Sequence, residues 1–259
     1  MEPSGKTGPA VFEELVKTLL ERDELRRAAE ACQNAYVLEF GELVSEIYRR
    51  RTACMRKEKM IEYCRRQEEY GRAVQYYDML DYAEQGLSSR DRELAEITEE
   101  IREAAAFPVL SASEEQEIQS IYRELVLMIH PDLHRDEGDP SWKIELWSRI
   151  SGAYNRSDLS RLKQLKKEAE DRAPAKDAPG REANRLSQIA NPEGELEQLK
   201  REIEEIVTSE PYVYKLILDD RKFCREKKTD MQRDIDGYNE RERELDAQLR
   251  RFSVENIIS

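Results

Sequence analysis

Histidine is almost missing from this chain, at two residues in 259, and cysteine is scarce, at four. With no glycine-rich phosphate loop, and no serine or cysteine beside a recognisable base and oxyanion motif, little remains from which to build an active site. Cys32, Cys54, Cys64 and Cys224 lie far apart in helix-patterned stretches and form no Cys-x-x-Cys pair. That spacing points to neither a zinc site nor a disulfide framework, and reduced thiols are expected. Long apolar runs are absent too. None approaches the ~20 residues needed to cross a bilayer, and Met1 to Pro9 has no signal-peptide core, so the expectation is a cytoplasmic protein with no membrane partner. Positive charge is in deficit: the formal balance is −13, which argues against nucleic acid as a general partner. The local exception, Arg49-Arg50-Arg51 with Arg56, Lys57, Lys59, Arg65 and Arg66, spreads around several helix faces and interleaves with Glu58 and Glu62, as a solvated surface does.

What the chain has in abundance is charge, at 38% of residues, with a strongly negative mean hydropathy. That leaves too little apolar material for one large core and favours an extended, all-α protein. Val11 to Ala31 and Glu39 to Gln85 are helical in pattern and read as a long arm. Gly86-Leu87-Ser88-Ser89 signals a turn, and Arg90 to Ala106 returns the chain in a second helix.

Ser113-Glu114-Glu115-Gln116 has the form of a capping box, and it opens a segment whose Ile118, Ile121, Tyr122, Leu125, Val126 and Ile129 share one face. His130-Pro131-Asp132 follows at once. Proline lacks an N–H and disfavours helix in the residue before it, so the helix should end near His130 and leave Asp132 at an exposed corner. Beyond the loop Leu133 to Pro140, Trp147, Ile150 and Tyr154 recur at three- and four-residue spacing with Ala153 alongside, predicting a second helix packed on the first. Asn155-Arg156-Ser157-Asp158 then offers caps for a short helix bearing Leu159, Leu162 and Leu165, with Lys163, Lys166 and Lys167 on its polar side. A metal ion here would need His130, Asp132 and His134, and Pro131 breaks the helix that would align the two imidazoles. No metal, no cofactor and no catalytic residue is expected.

Tyr122-Arg123-Glu124-Leu125, His130-Pro131-Asp132, and Trp147 with Ile150, Ala153 and Tyr154 resemble the J domain of DnaJ-type co-chaperones, most closely a bacterial subset in which helical coiled-coil segments flank that domain. The resemblance implies an all-α fold: a J-domain-like helical hairpin flanked by long helical and coiled-coil arms. It implies a core of Tyr122, Leu125, Ile129, Trp147, Ile150, Ala153 and Tyr154. It also implies binding to a DnaK-type chaperone through His130, Pro131, Asp132 and Arg123, which stimulates the partner's ATP hydrolysis while this chain performs no chemistry. The chain departs from the family in three respects. The first J-domain helix is not recognisable in Ala104 to Ser111, with Arg92 to Ala106 standing as its replacement. Glu124 and Met128 occupy positions that are commonly basic. Neither a glycine/phenylalanine-rich linker nor a cysteine-rich zinc domain follows. The alternative is a structural or adaptor coiled-coil protein with a degenerate J-like domain.

In linear order the sequence divides into a disordered start (1–10), an N-terminal helical arm (11–106), the J-like segment (107–170), a linker rich in Ala, Pro, Gly, Asn and charge (171–195), and a C-terminal coiled-coil segment (196–259). In the last, Leu196, Leu199, Ile203 and Ile206, then Met231, Ile235, Tyr238, Leu245, Leu249 and Phe252, keep a coiled-coil spacing around Ser209-Glu210-Pro211, with Asp220 and Lys227 as polar breaks in the seam. The arms' expected partners are a client, a scaffold protein or a second copy of the chain in a homo-oligomer. A fold-back of the Arg49 to Arg66 stretch onto Asp132 is a further expectation.

Overall fold

The computed structural model describes residues 8–133, 141–172, 191–252 and 254–255, and the fold is all-α. The helices are α1 (Gly8–Glu69), α2 (Tyr76–Glu84), α3 (Ser88–Ala105), α4 (Ala112–Ile129), α5 (Ser141–Asn155), α6 (Leu159–Arg172), α7 (Pro192–Thr208), α8 (Tyr214–Asp219) and α9 (Arg221–Leu249). A two-residue parallel bridge joins β1 (Val74–Gln75) to β2 (Val254–Glu255).

The chain divides into two compact units, and neither is continuous in sequence. The first comprises 1–33 and 107–215, the second 34–106 and 216–259. This partition differs from the linear one. The 11–106 arm is shared between units because Phe12, Leu15, Val16 and Leu19 at its start are buried in the same core as Tyr122, Leu125 and Ile150. The 196–259 segment is also shared: Leu196 and Leu199 belong to that first core, whereas Leu245 is buried with Cys54 and Ile61 in the second unit. Of the 171–195 linker, Asp171 and Arg172 end α6, α7 begins at Pro192, and 173–190 lie outside the described residues. Of the 1–10 stretch, 1–7 also lie outside, and Gly8 already belongs to α1.

In the first unit, α4 and α5 form the hairpin and α6 packs across both. The cap of α4 stands two residues earlier than its sequence suggests. Ser111, not Ser113, accepts the Glu114 N–H, and the Glu114 carboxylate takes the Ser111 N–H at 2.8 Å. Two orphan donors are thereby satisfied. Between α5 and α6 the chain reverses through Ser157 at φ 54, with the Asp158 N–H returning to the Ala153 carbonyl. Asp158 then caps α6 by accepting the Arg161 N–H at 2.8 Å.

The second unit is built largely from charge. After α1, Gly71 turns the chain at φ +62, a conformation L side chains resist, and this turn interrupts the 39–85 arm that the sequence presents as unbroken. α2 and α3 then run back along α1. Met79 meets Cys64, Arg90 bonds the Tyr48 hydroxyl at 3.0 Å, and Gly41 lets Ile101 close on the α1 backbone. α9 runs parallel to α1, as an ion-pair ladder climbing both helices together shows: Lys228 with Glu39, Arg50 with Glu242, Lys57 with Asp246. Of the polar breaks in the C-terminal seam, Asp220 caps α9, and Lys227 lies over the rings of Tyr36 and Phe40.

Candidate functional site

The turn after α4 follows from its proline. His130 closes the last helical turn by donating its N–H to the Val126 carbonyl at 3.1 Å, then takes an extended ψ of 129°, as a residue before proline must. Pro131–Leu133 form a single 3-10 turn, held by the Leu133 N–H on the His130 carbonyl. Leu133 plunges into the core beside Ile129 and Leu146.

The three residues of the motif sit differently. His130 is 2% exposed and meets the Trp147 ring edge-on at 4.4 Å, so it is a core group even though the helix ends at it. Its Nδ1 accepts the Asp132 backbone N–H at 3.0 Å. That bond occupies the Nδ1 lone pair, so a neutral ring carries its proton on Nε2. It also ties the Asp132 backbone to the buried ring. Pro131 is half-buried, and the Asp132 side chain is 39% exposed, with Oδ2 3.8 Å from Nδ1. Arg123 is exposed on α4. His134 lies outside the described residues, among which no cluster of three or more His, Cys, Asp or Glu could hold a metal.

Beneath the turn, Tyr122, Leu125, Ile129, Ile150, Ala153 and Tyr154 are buried together, and Trp147 packs against them. The Tyr122 and Tyr154 rings stack 3.7 Å apart within 9° of parallel, and Trp147 leans on Tyr122 at 5.6 Å. Both phenol groups leave the hairpin for adjacent carboxylates on α1: the Tyr122 hydroxyl donates to Asp23 at 2.8 Å and the Tyr154 hydroxyl to Glu24. Burial holds both phenols protonated well above their ordinary range, reinforced by those carboxylates.

This α1 surface is what sequence reasoning missed. The covering helix comes from residues 12–27, not from Arg92 to Ala106, whose helix belongs to the second unit. A signal was present: the buried stripe Phe12, Leu15, Val16 and Leu19 runs on at the same spacing into Arg22, Asp23 and Arg27, all buried. These charges are paired. Arg22 grips Asp23 at 2.8 Å and Glu202 of α7 at 3.2 Å. Arg27 pairs with Glu115, donates to the Ser157 hydroxyl at 3.4 Å and lies over the Tyr154 ring. Burial pushes the Asp23 carboxyl up, against the pull of Arg22, Tyr122 and Arg26. Burial also works against the Arg22 cation, but Asp23, Glu202 and Asp132 together hold it above its ordinary value.

The α4 face itself is stitched to α6, with Lys163 on Glu117 at 2.8 Å and Lys166 on Glu124 at 2.7 Å. The Arg149 guanidinium spans both oxygens of Glu168, holding that carboxyl below the usual range. Among the described residues no helix is long and apolar enough to cross a membrane. In comparison with known proteins, the chain matches no family model, no curated protein and no solved structure at the significance required of a match.

Proposed function

We propose that this chain is a J-domain co-chaperone that binds a DnaK-type chaperone and stimulates its ATP hydrolysis, with no chemistry of its own. The observation that carries the reading is the geometry of Asp132. A buried histidine takes its backbone N–H, a proline fixes the turn, and a core leucine follows, so one half-exposed carboxylate is presented from a rigid mount. A carboxylate so held suits a charge-assisted hydrogen bond from a partner's arginine. Arg123, nine residues earlier on α4, adds peripheral positive charge. In this reading the second unit targets the activity to a client, a scaffold or a second copy of the chain, in the cytoplasm.

The alternative is an adaptor whose J-like hairpin serves only as a helical scaffold. It is favoured by the α4 face, where Glu117 and Glu124 hold Lys163 and Lys166, two of the three lysines of α6, in intramolecular pairs, leaving less basic charge for an acidic partner. The single-turnover ATPase rate of a DnaK-type chaperone, measured alone, with this protein and with its Asp132→Asn variant, separates the two. Stimulation that vanishes in the variant supports the co-chaperone. A folded protein that gives none supports the scaffold.

A further inference from the structure

Ahead of α4 the backbone of residues 107–111 is neither helix nor strand. Pro108 keeps Phe107 out of the helical region, and Ser111, the cap of α4, is extended at φ −70 and ψ 162. Leu110 packs against the first core and Phe107 is half-buried, so the stretch is tied to the first unit. Its backbone is nevertheless open. Among the described residues, no hydrogen bond is made by the N–H groups of Phe107, Val109 and Leu110, or by the carbonyls of Phe107, Pro108, Val109 and Leu110. Val109 is 97% exposed, more than any other large apolar side chain described. The stretch also lies within 104–113, the longest run without a charged residue in a chain that is 38% charged.

A bare apolar side chain beside unpaired main-chain groups is what an incompletely folded polypeptide displays, and it is the surface that chaperones act upon. The same combination suits strand addition, in which main-chain bonds supply affinity and a pocket for an outward side chain supplies specificity. A freely moving peptide must lose conformational entropy to bind in this way. Here Pro108 and Leu110 already hold the stretch in place, so that cost is reduced. No charge within it has to be desolvated. Its position is also defined: α4 has 18 residues between its Ser111 and His130 caps, which at 1.5 Å each place the stretch about 27 Å from the tripeptide turn.

We infer that residues 107–110 form a client-like docking strand, taken up by the client-binding surface of the DnaK-type chaperone through main-chain hydrogen bonds and a pocket for Val109. The choice of occupant rests on the co-chaperone reading. α4 then acts as a spacer with one contact at each end, the strand before it and the tripeptide after it, so a single chain engages the chaperone twice. Strand and client claim the same surface. An arriving client therefore displaces the strand, while the tripeptide contact stays in place.

The test is calorimetric binding of the full chain to a DnaK-type chaperone from the same organism, with and without a denatured, carboxymethylated protein as a permanently unfolded client. Val109 is exposed enough for its variants to fold. Val109→Asp should weaken binding about tenfold or more, the effect of one valine side chain losing its pocket. Val109→Ile, which stays apolar and β-branched, should bind as wild type does. The unfolded client should weaken binding of wild type and leave that of Val109→Asp unchanged. Equal affinities for wild type and Val109→Asp overturn the inference, and so does a client that weakens both alike. Asp132-dependent ATPase stimulation with no effect of Val109→Asp removes the strand alone. Client-sensitive binding through Val109 without Asp132-dependent stimulation supports the strand and removes the co-chaperone reading.

Discussion

Replacing Tyr122 by phenylalanine deletes one oxygen from the middle of the first unit. The ring keeps its stacking on Tyr154 and its contact with Trp147, so packing is nearly conserved. What disappears is the 2.8 Å bond to Asp23, a carboxylate that is itself buried and is otherwise held by Arg22 and Arg26 among the described residues. A hydrogen bond to a charged group contributes about 1.5–3 kcal/mol, so a loss of about 2 kcal/mol is expected. With a urea dependence of about 2 kcal/mol per molar, the unfolding midpoint falls by about 1 M. The assay is selective because both tryptophans, Trp142 and Trp147, lie on α5, so their fluorescence follows the first unit while far-UV circular dichroism follows both. The pH dependence has a definite sign. Burial raises Asp23, so its carboxyl is protonated in folded and unfolded chains at low pH, and the bond lost there is a neutral one. As pH rises through the raised folded value the lost bond becomes a charged one, and the penalty should grow with pH. A midpoint unmoved by the substitution at every pH, or a penalty that shrinks with rising pH, would refute the Tyr122–Asp23 bond as a support of the core.

Ser111→Ala should cost about 1 kcal/mol by removing the α4 cap, read as faster amide hydrogen exchange in the first turn. Ser111's hydroxyl and N–H hold the Glu114 carboxyl below its ordinary value, so wild-type protection there should persist above the usual carboxylate range and fade as pH falls through the lowered value, whereas the variant should show little such dependence. Among the thiols, half-buried Cys32 should react first with a thiol reagent, because burial and the neighbouring carboxylates push Cys54 and Cys64 up; equal rates for these three would count against the second core. Gly71→Ala meets no side chain, so its cost of about 1–2 kcal/mol is purely that of the left-handed backbone, and it should lower the circular dichroism transition without moving tryptophan fluorescence.

The hairpin was the most legible part of the sequence, because its information is local. Ile118 to Ile129 carry a helical stripe, Pro131 forces the stop, and Trp147 to Tyr154 repeat the stripe. The placement of His130 was not legible: a polar residue beside a proline reads as a solvated loop, and Trp147, which packs against its ring, lies seventeen positions on. The covering helix was hidden for a related reason. Asp23 and Arg27 read as surface residues until the phenol of Tyr122 and the ring of Tyr154 are seen to meet them across more than 90 residues of chain. In the C-terminal segment, coiled-coil spacing identified apolar residues that do become buried, but periodicity carries no address. Leu199 and Leu245 obey the same rule and enter different cores.

The interleaving of the two units has a consequence for synthesis. A ribosome makes α1 first, yet the residues that cover it come late: Leu196 for the stripe of Phe12 and Leu15, Leu245 for that of Cys54 and Ile61. At about 5–20 residues per second, Leu245 follows Cys54 by on the order of ten to forty seconds. Throughout that interval α1 stands partly uncovered, its apolar stripes open to misassembly. Neither unit is complete until residues made long after α1 have emerged.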